Sequence, residues 1–279
     1  MIFLEFRVSE NNIILSPFED FNLGVTLDCG QAFRFAEEDG IFKGMAGDKY
    51  IEAEQKENGE VIFYNLSEEE FVGFVCDYFD FNTDYSALRK LYSSDKTMKE
   101  AVNFCKGIRI LKQDPWETLC SFIISQNNNI KRIKGIIERL CEELGDKTEK
   151  GYSFPQPSRL ASMKPEDLSF LRTGFRDKYI IDAAVKVSTG EVDLDKIKAG
   201  SYEDGIEELT KIKGVGLKVA NCVLLYGFYK TEAFPVDVWI KRVLSKFYKD
   251  GFPEEFYSTR GIAQQFLFHY IRNAGISIE

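Results

Sequence analysis

The sequence predicts an α+β protein, mostly α, with an antiparallel sheet at the N-terminus followed by a helical domain. Two observations predict it. Apolar residues alternate in short runs through the first hundred residues, and from about residue 85 they recur at helical spacing instead. A chain of 279 residues with 44% hydrophobic and 29% charged residues has enough apolar surface for a sizeable core.

The strand-like runs are Met1–Phe6, Asn12–Leu15, Gln31–Phe35, Gly40–Met45, Tyr50–Glu54 and Glu60–Tyr64, parted by Gly, Asp and Asn turn signals. Ser67 followed by three glutamates reads as a helix start, since a serine oxygen caps the first N–H groups and acids suit the positive end of the dipole. Asp114-Pro115 opens an apolar helix through Ile124. Apolar residues at 130, 133, 136, 137, 140 and 141 make a stripe from Asn129 to Leu144 that stops at Gly145. Further helices are expected at Arg159–Met163, Lys164–Leu171, Lys178–Ser188, Gly205–Thr210, Lys218–Tyr226, Val238–Phe247 and Ile262–Ala274. The boundary between sheet and helical domains is placed at residues 105 and 106.

The formal net charge of −9 argues at first against a polyanionic partner. Its distribution reverses that. Residues 1–100 hold 9 Lys/Arg against 21 Asp/Glu, which leaves the other 179 residues at +3. Residues 105–134 carry six cations against two anions, and residues 209–249 carry eight against two. Nucleic-acid binding needs a local basic footprint of this kind, although a solvated Lys-rich surface has the same composition. None of the six cysteines is at CxxC spacing and none follows Cys222, which excludes a zinc ribbon and a C-terminal iron–sulfur ligand set. The start, MIFLEFRVSE, has charges where a secretion signal needs an apolar run, and no stretch is long enough to span a bilayer. Free thiols in a reducing compartment are expected.

The most informative segment is LTKIKGVGLKVANCVLL, Leu209 to Leu225. One helix stops at Lys213, Gly214-Val215-Gly216 turns the chain, and a second helix starts at Leu217. Leu209, Ile212, Val215 and Val219 can pack the two helices together. Glycines allow close backbone approach, and the fresh helix N-terminus offers unpaired N–H groups to a phosphate. A helix-Gly-helix corner alone is common in helical proteins. Lys218 changes the balance, because a cation on the first turn sits against the helix dipole. Nineteen residues later Asp237, in Phe-Pro-Val-Asp-Val-Trp, is placed to cap the next helix. An amine and a fixed carboxylate suit glycosidic cleavage: the carboxylate favours a cationic sugar, and the amine captures its C1′ carbon.

GVGLKVANC followed by PVDVW resembles the helix-hairpin-helix DNA glycosylases, and four further segments resemble the 8-oxoguanine glycosylase/lyases among them. These are Leu27–Phe35 (LDCGQAFRF), Gln113-Asp114-Pro115 with Ser121-Phe122-Ile123 and Asn127–Ile133 (NNNIKRI), Gly174–Tyr179 (GFRDKY) and Gly261–Phe268 (GIAQQFLF). The five matches lie in family order and cover roughly residues 20 to 270. The resemblance implies a helical glycosylase domain over 106–279 with its hairpin at 205–226, and excision of 8-oxoguanine from double-stranded DNA. It implies a monomer with no cofactor and no membrane association, cytoplasmic and nucleoid-associated in a bacterium or nuclear in a eukaryote.

It also implies roles. Lys218 is the Schiff-base nucleophile and Asp237 supports base departure. Cys222, one turn after Lys218, completes a Lys–Cys dipole that matches the lesion. The Gly30 carbonyl accepts the N7–H that 8-oxoguanine has and guanine lacks. Gln264 reads the Watson–Crick edge of the extruded base, and Phe268 stacks on it. Asn127, Arg132 and Arg176 recognise the orphaned cytosine, although each is also what an ordinary surface polar residue looks like. Phe175 stands where the family often has Tyr, as the wedge that unstacks the duplex. Gly214, Gly216 and Val219 contact the backbone, as does Trp239, which stands where better-known eukaryotic members have His. The carbonyls of Thr210, Ile212 and Val215 match a structural monovalent-cation site, with no catalytic metal implied. Alkylpurine glycosylases share the hairpin and the Asp but lack Lys at this position. The iron–sulfur relatives need a cysteine cluster that this sequence lacks. A non-catalytic DNA-gripping hairpin would not need Asp237 or Gln264.

Overall fold

A computed structural model describes residues 4–275. The chain forms two compact units, one from Met1–Gly44, Ile51–Lys112 and Phe234–Glu279, the other from Met45–Tyr50 and Gln113–Ala233. The first unit thus draws on both ends of the chain.

Strands β1 (Phe6–Ser9), β2 (Asn12–Leu15), β3 (Phe35–Glu38), β4 (Ile41–Ala46), β5 (Lys49–Gln55) and β6 (Val61–Phe63) make one sheet in the order β1-β2-β6-β5-β4-β3. The described pairings are antiparallel; β6 takes Ile13 and Ala53 opposite the same residue, Phe63. Ile13, Leu15, Ile51, Ala53, Val61 and Phe63 are buried at alternate positions, as the period of two requires. They meet an aromatic cluster in which Phe63, Phe71, Phe79, Phe81 and Phe21 contact one another at ring-centroid distances of 4.8–5.8 Å.

Two strand assignments are corrected. The first strand begins at Phe6, with Met1–Phe3 outside the described residues. Residues 31–34 are not a strand; they run buried or half-buried beyond the short helix Leu23–Asp28, and pairing starts at Phe35. Their apolar character reflects immersion in the core rather than a pleat. Ser67 makes the expected cap, reciprocated by Glu70 as a capping box. The unit is completed by helices Tyr85–Tyr92, Lys96–Phe104, Val238–Phe247 and Arg260–Asn273. A fully buried Arg109 binds it internally, donating to the carbonyls of Asp20, Phe79, Asp80 and Thr83 beneath the Tyr85 ring.

The second unit is helical. Pro115–Ser125 packs along Leu217–Phe228, and the hairpin partner of the latter is Tyr202–Thr210. Ile130–Leu144 starts at an Asn129 cap and ends at Gly145 as predicted, while Pro165–Leu171 is a 3-10 turn rather than an α-helix. Among the described residues no helix is long and apolar enough to cross a membrane.

Candidate active site

The hairpin is built as its sequence requires. Leu209, Ile212, Val215 and Val219 are buried between its helices. Gly214 adopts φ +80°, and a side chain there would collide with the ring of Tyr179. Two residues of Asp177–Ser188 brace the turn. Asp182 accepts the Lys213 N–H (2.8 Å), and the Lys186 ammonium donates to the Lys211 carbonyl (2.6 Å). The Ile212 carbonyl of the predicted cation set accepts the Val215 N–H (3.1 Å), which leaves it one lone pair for an ion. Gly216 caps the Leu217–Phe228 helix in extended conformation with no side-chain hydrogen bond and open space beside its Cα. The helix start is therefore bare, as a phosphate seat must be. Val219 as a whole is only 3% exposed, its side chain packed into the hairpin rather than offered to a partner.

Lys218 is half-buried on that first turn, with Nζ 5.4 Å from the ring centroid of Phe122. Phe122, from the adjacent Pro115–Ser125 helix, is itself stacked on Tyr226 at 5.4 Å and 12°. An ammonium over an aromatic face is attracted by the ring quadrupole, so the amine has a fixed seat. Cys222, one turn further, is buried. Phe122 lies in the family-like Ser121-Phe122-Ile123 segment, but its contact with Lys218 is not legible there, because one Phe in an apolar helix gives no signal of its own.

The predicted opposite-base residues lie together in the same unit. Phe175 is 48% exposed, as a wedge needs. Arg176 corrects the surface expectation: it is only 4% exposed, donates to the carbonyls of Gln126, Asn127 and Thr173, and lies 4.5 Å from the Phe175 ring. Burial and the nearby Arg132 cation lower its pKa. Asn127 is exposed at φ +47°, and Arg132 donates to the Arg172 carbonyl (2.9 Å).

The first unit carries the predicted base-reading residues. Gly30 follows the Leu23–Asp28 helix at φ +85°. The Arg260–Asn273 helix carries Gln264, which is 3% exposed with an Oε1 that has no hydrogen-bond partner. A buried acceptor without a donor is costly, and a base edge could supply one. Phe268, one turn on, is half-buried, with the Arg272 guanidinium 5.0 Å from its ring. Asp237 accepts the Ile240 N–H (2.8 Å) and caps Val238–Phe247, so its carboxylate is oriented by the backbone. Trp239 stands exposed on that first turn, beside Arg242 at 5.6 Å. All six cysteines are buried and none is in a disulfide, and burial pushes the Cys29 thiol up to about 12.

Two domain families match the chain: the 8-oxoguanine DNA glycosylase N-terminal domain over residues 13–119, and the HhH-GPD superfamily of base excision DNA repair proteins over residues 120–253. An N-glycosylase/DNA lyase of Saccharomyces cerevisiae is 41% identical over 160 residues, 52% of this chain but only 43% of the yeast protein. A probable N-glycosylase/DNA lyase of Methanothermobacter thermautotrophicus is 31% identical over 219 residues, 66% of this chain and 70% of that one. The Clostridium acetobutylicum 8-oxoguanine glycosylase/lyase, solved with double-stranded DNA containing cytosine opposite 8-oxoguanine, superposes with a TM-score of 0.90 at 39% identity, covering 99% of each chain. A 3-methyladenine DNA glycosylase from Archaeoglobus fulgidus shares the fold alone, at 18% identity and a TM-score of 0.74. With both domain families in sequence and this similarity over its whole length, the chain belongs to the 8-oxoguanine DNA glycosylase family of the HhH-GPD superfamily.

Proposed function

We propose that the protein excises 8-oxoguanine from double-stranded DNA and then cleaves the strand at the resulting abasic site, acting as a base-excision-repair glycosylase and β-lyase. The observation that carries this reading is Lys218, a half-buried amine on the bare first turn of the hairpin's second helix, seated over the Phe122 ring. Base departure breaks the C1′–N9 bond, and the electron pair leaves with the purine. The Lys218 amine forms the new bond to C1′, and opening of the sugar gives a protonated Schiff base. Loss of a C2′ proton then expels the 3′ phosphate by β-elimination. The Asp237 carboxylate, oriented by its cap, stabilises positive charge on the sugar. Gly30, Cys222, Gln264 and Phe268 recognise the extruded base. Asn127, Arg132, Phe175 and Arg176 serve the opposite strand, and the hairpin holds the backbone. A hairpin cation at Thr210, Ile212 and Val215 would be structural, and no step runs through it.

Borohydride decides the matter. With an 8-oxoguanine:cytosine duplex, the wild-type protein yields a covalent adduct that disappears in Lys218→Gln. Base release without any adduct would replace this reading with a monofunctional glycosylase of the alkylpurine kind. No base release at all would remove the glycosylase. Asp237→Asn lowers excision more than DNA binding; equal loss of both would make Asp237 a cap only.

A further inference from the structure

The reading of 8-oxoguanine against guanine falls on one backbone carbonyl, that of Gly30, and a glycine carbonyl is a poor fixed point unless something holds it. Gly30 sits in the left-handed region, where glycine exchanges readily between conformations. Both of its neighbours are anchored, Gln31 through its side chain and Cys29 through its carbonyl. After it, Gln31 is fully buried; its Nε2 donates to the carbonyls of Thr26 (2.9 Å) and Arg109 (2.7 Å), and its Oε1 accepts the Leu111 N–H (2.9 Å). Before it, the Cys29 carbonyl accepts a hydrogen bond from Nε2 of Gln265 (3.2 Å), a side chain only 2% exposed.

The two glutamines differ in what they hold. Gln31 joins its own loop and Thr26 to the 109–111 segment, a contact on which the fold depends. Gln265 makes a long-range bond, 236 residues away in sequence, to the peptide group that contains the Gly30 nitrogen. It also neighbours Gln264 and lies one turn from Phe268 on the Arg260–Asn273 helix. That helix therefore carries the edge reader, the stacking ring and the anchor of the N7–H acceptor as one rigid body.

We infer that Gln265 is a specificity-determining positioning residue: by holding the Cys29 carbonyl it fixes the peptide plane that enters Gly30 and so aims the Gly30 carbonyl at N7–H of the lesion. The inference rests on the proposed role of Gly30. Without the bond, the base-reading helix no longer restrains the Cys29–Gly30 peptide plane, and the N7–H acceptor loses its alignment. Binding of guanine, which has no N7–H to offer, has less to lose.

The test uses full-length protein and non-cleavable 2′-fluoro duplexes carrying 8-oxoguanine or guanine opposite cytosine. Gln265→Met keeps length and loses the donor, and Gln265→Glu keeps shape and presents an acceptor. In both, the ratio of guanine to 8-oxoguanine Kd is expected to fall about fivefold to tenfold, the scale of one misaligned hydrogen bond. An unchanged ratio, or equal weakening on both duplexes, in whichever variant retains the wild-type melting transition, overturns the inference. Wild-type protein that fails to prefer 8-oxoguanine would instead overturn the role of Gly30 itself, before any variant is compared.

Discussion

The ring of Tyr179 occupies the space that a side chain at Gly214 would need. The same ring makes an edge contact with Phe175, at 5.7 Å and 69°. One tyrosine thus ties Phe175 to the hairpin turn. Gly214→Ala would combine a left-handed backbone with a collision against a packed ring. A loss of about 3 kcal/mol in unfolding free energy is expected, read by denaturant titration.

Gly216, two residues on, gives the opposite expectation. Its φ is −96° and nothing lies within 4 Å of the point where a Cβ would stand, so Gly216→Ala meets no obstacle in the fold and should lose only about 1 kcal/mol, the difference between glycine and alanine as an N-cap. On the proposed role of the hairpin, the added methyl group stands at the phosphate seat. Duplex affinity should fall about tenfold while the melting temperature moves little. A destabilised Gly216→Ala with normal affinity would remove Gly216 from the interface.

The sequence pattern locates what short-range chemistry determines. Asn12–Leu15 and Val238–Phe247 form at the expected residues, and the caps at Ser67, Asp114 and Asn129 all form. Each depends on neighbours within a few positions. Leu23–Asp28 is not legible, because six residues with Val and Thr at the centre have little helical preference of their own. Lys96–Phe104 falls within the stretch of helical spacing, but its stripe of Met98, Ala101 and Val102 is too short to fix its bounds. Of the candidate site, Lys218, Asp237 and the glycines are read from motif spacing. Phe122, Tyr179 and Gln265 lie in family-like segments, but their contacts, with partners 35 to 236 residues away, are not legible there.

Arg176 shows the same limit and gives a prediction. Its guanidinium gathers carbonyls from Gln126, Asn127 and Thr173, so in the free protein it holds the 126–127 turn as well as any later partner. Arg176→Ala removes the donor to these carbonyls, of which that of Thr173 is fully buried, and should cost about 2–3 kcal/mol of stability. A surface cytosine reader with no such duty would lose affinity for the cytosine-containing duplex alone. Calorimetry on the DNA-free protein separates the two.

Gln264 should behave in reverse. Its buried Oε1 has no partner, so the free protein gains nothing from it. Gln264→Met fills the same space without an orphaned acceptor, and stability should stay within about 1 kcal/mol of wild type or rise. Excision of 8-oxoguanine in a single-turnover assay should nevertheless fall at least about tenfold. A stable variant with undiminished excision would mean that the base edge is read elsewhere.

The single histidine sets an acid limb on stability. Burial lowers the pKa of His269, the Arg272 guanidinium adds to this, and Asp28 opposes it. The unfolded chain therefore takes up a proton at that imidazole, near the ordinary value of about 6.5, before the folded protein does. Below that pH the unfolded state binds more protons, so stability falls as pH falls until the depressed folded pKa is passed. His269→Gln cannot take up this proton and should flatten the decline in melting temperature just below about pH 6.5. Asp20 and Asp177 have raised values for the same reason, burial, but near the carboxylate range, where they act in the opposite sense. A wild-type profile that His269→Gln leaves unchanged between about pH 6.5 and pH 5 would show that the imidazole is hydrated in the folded protein.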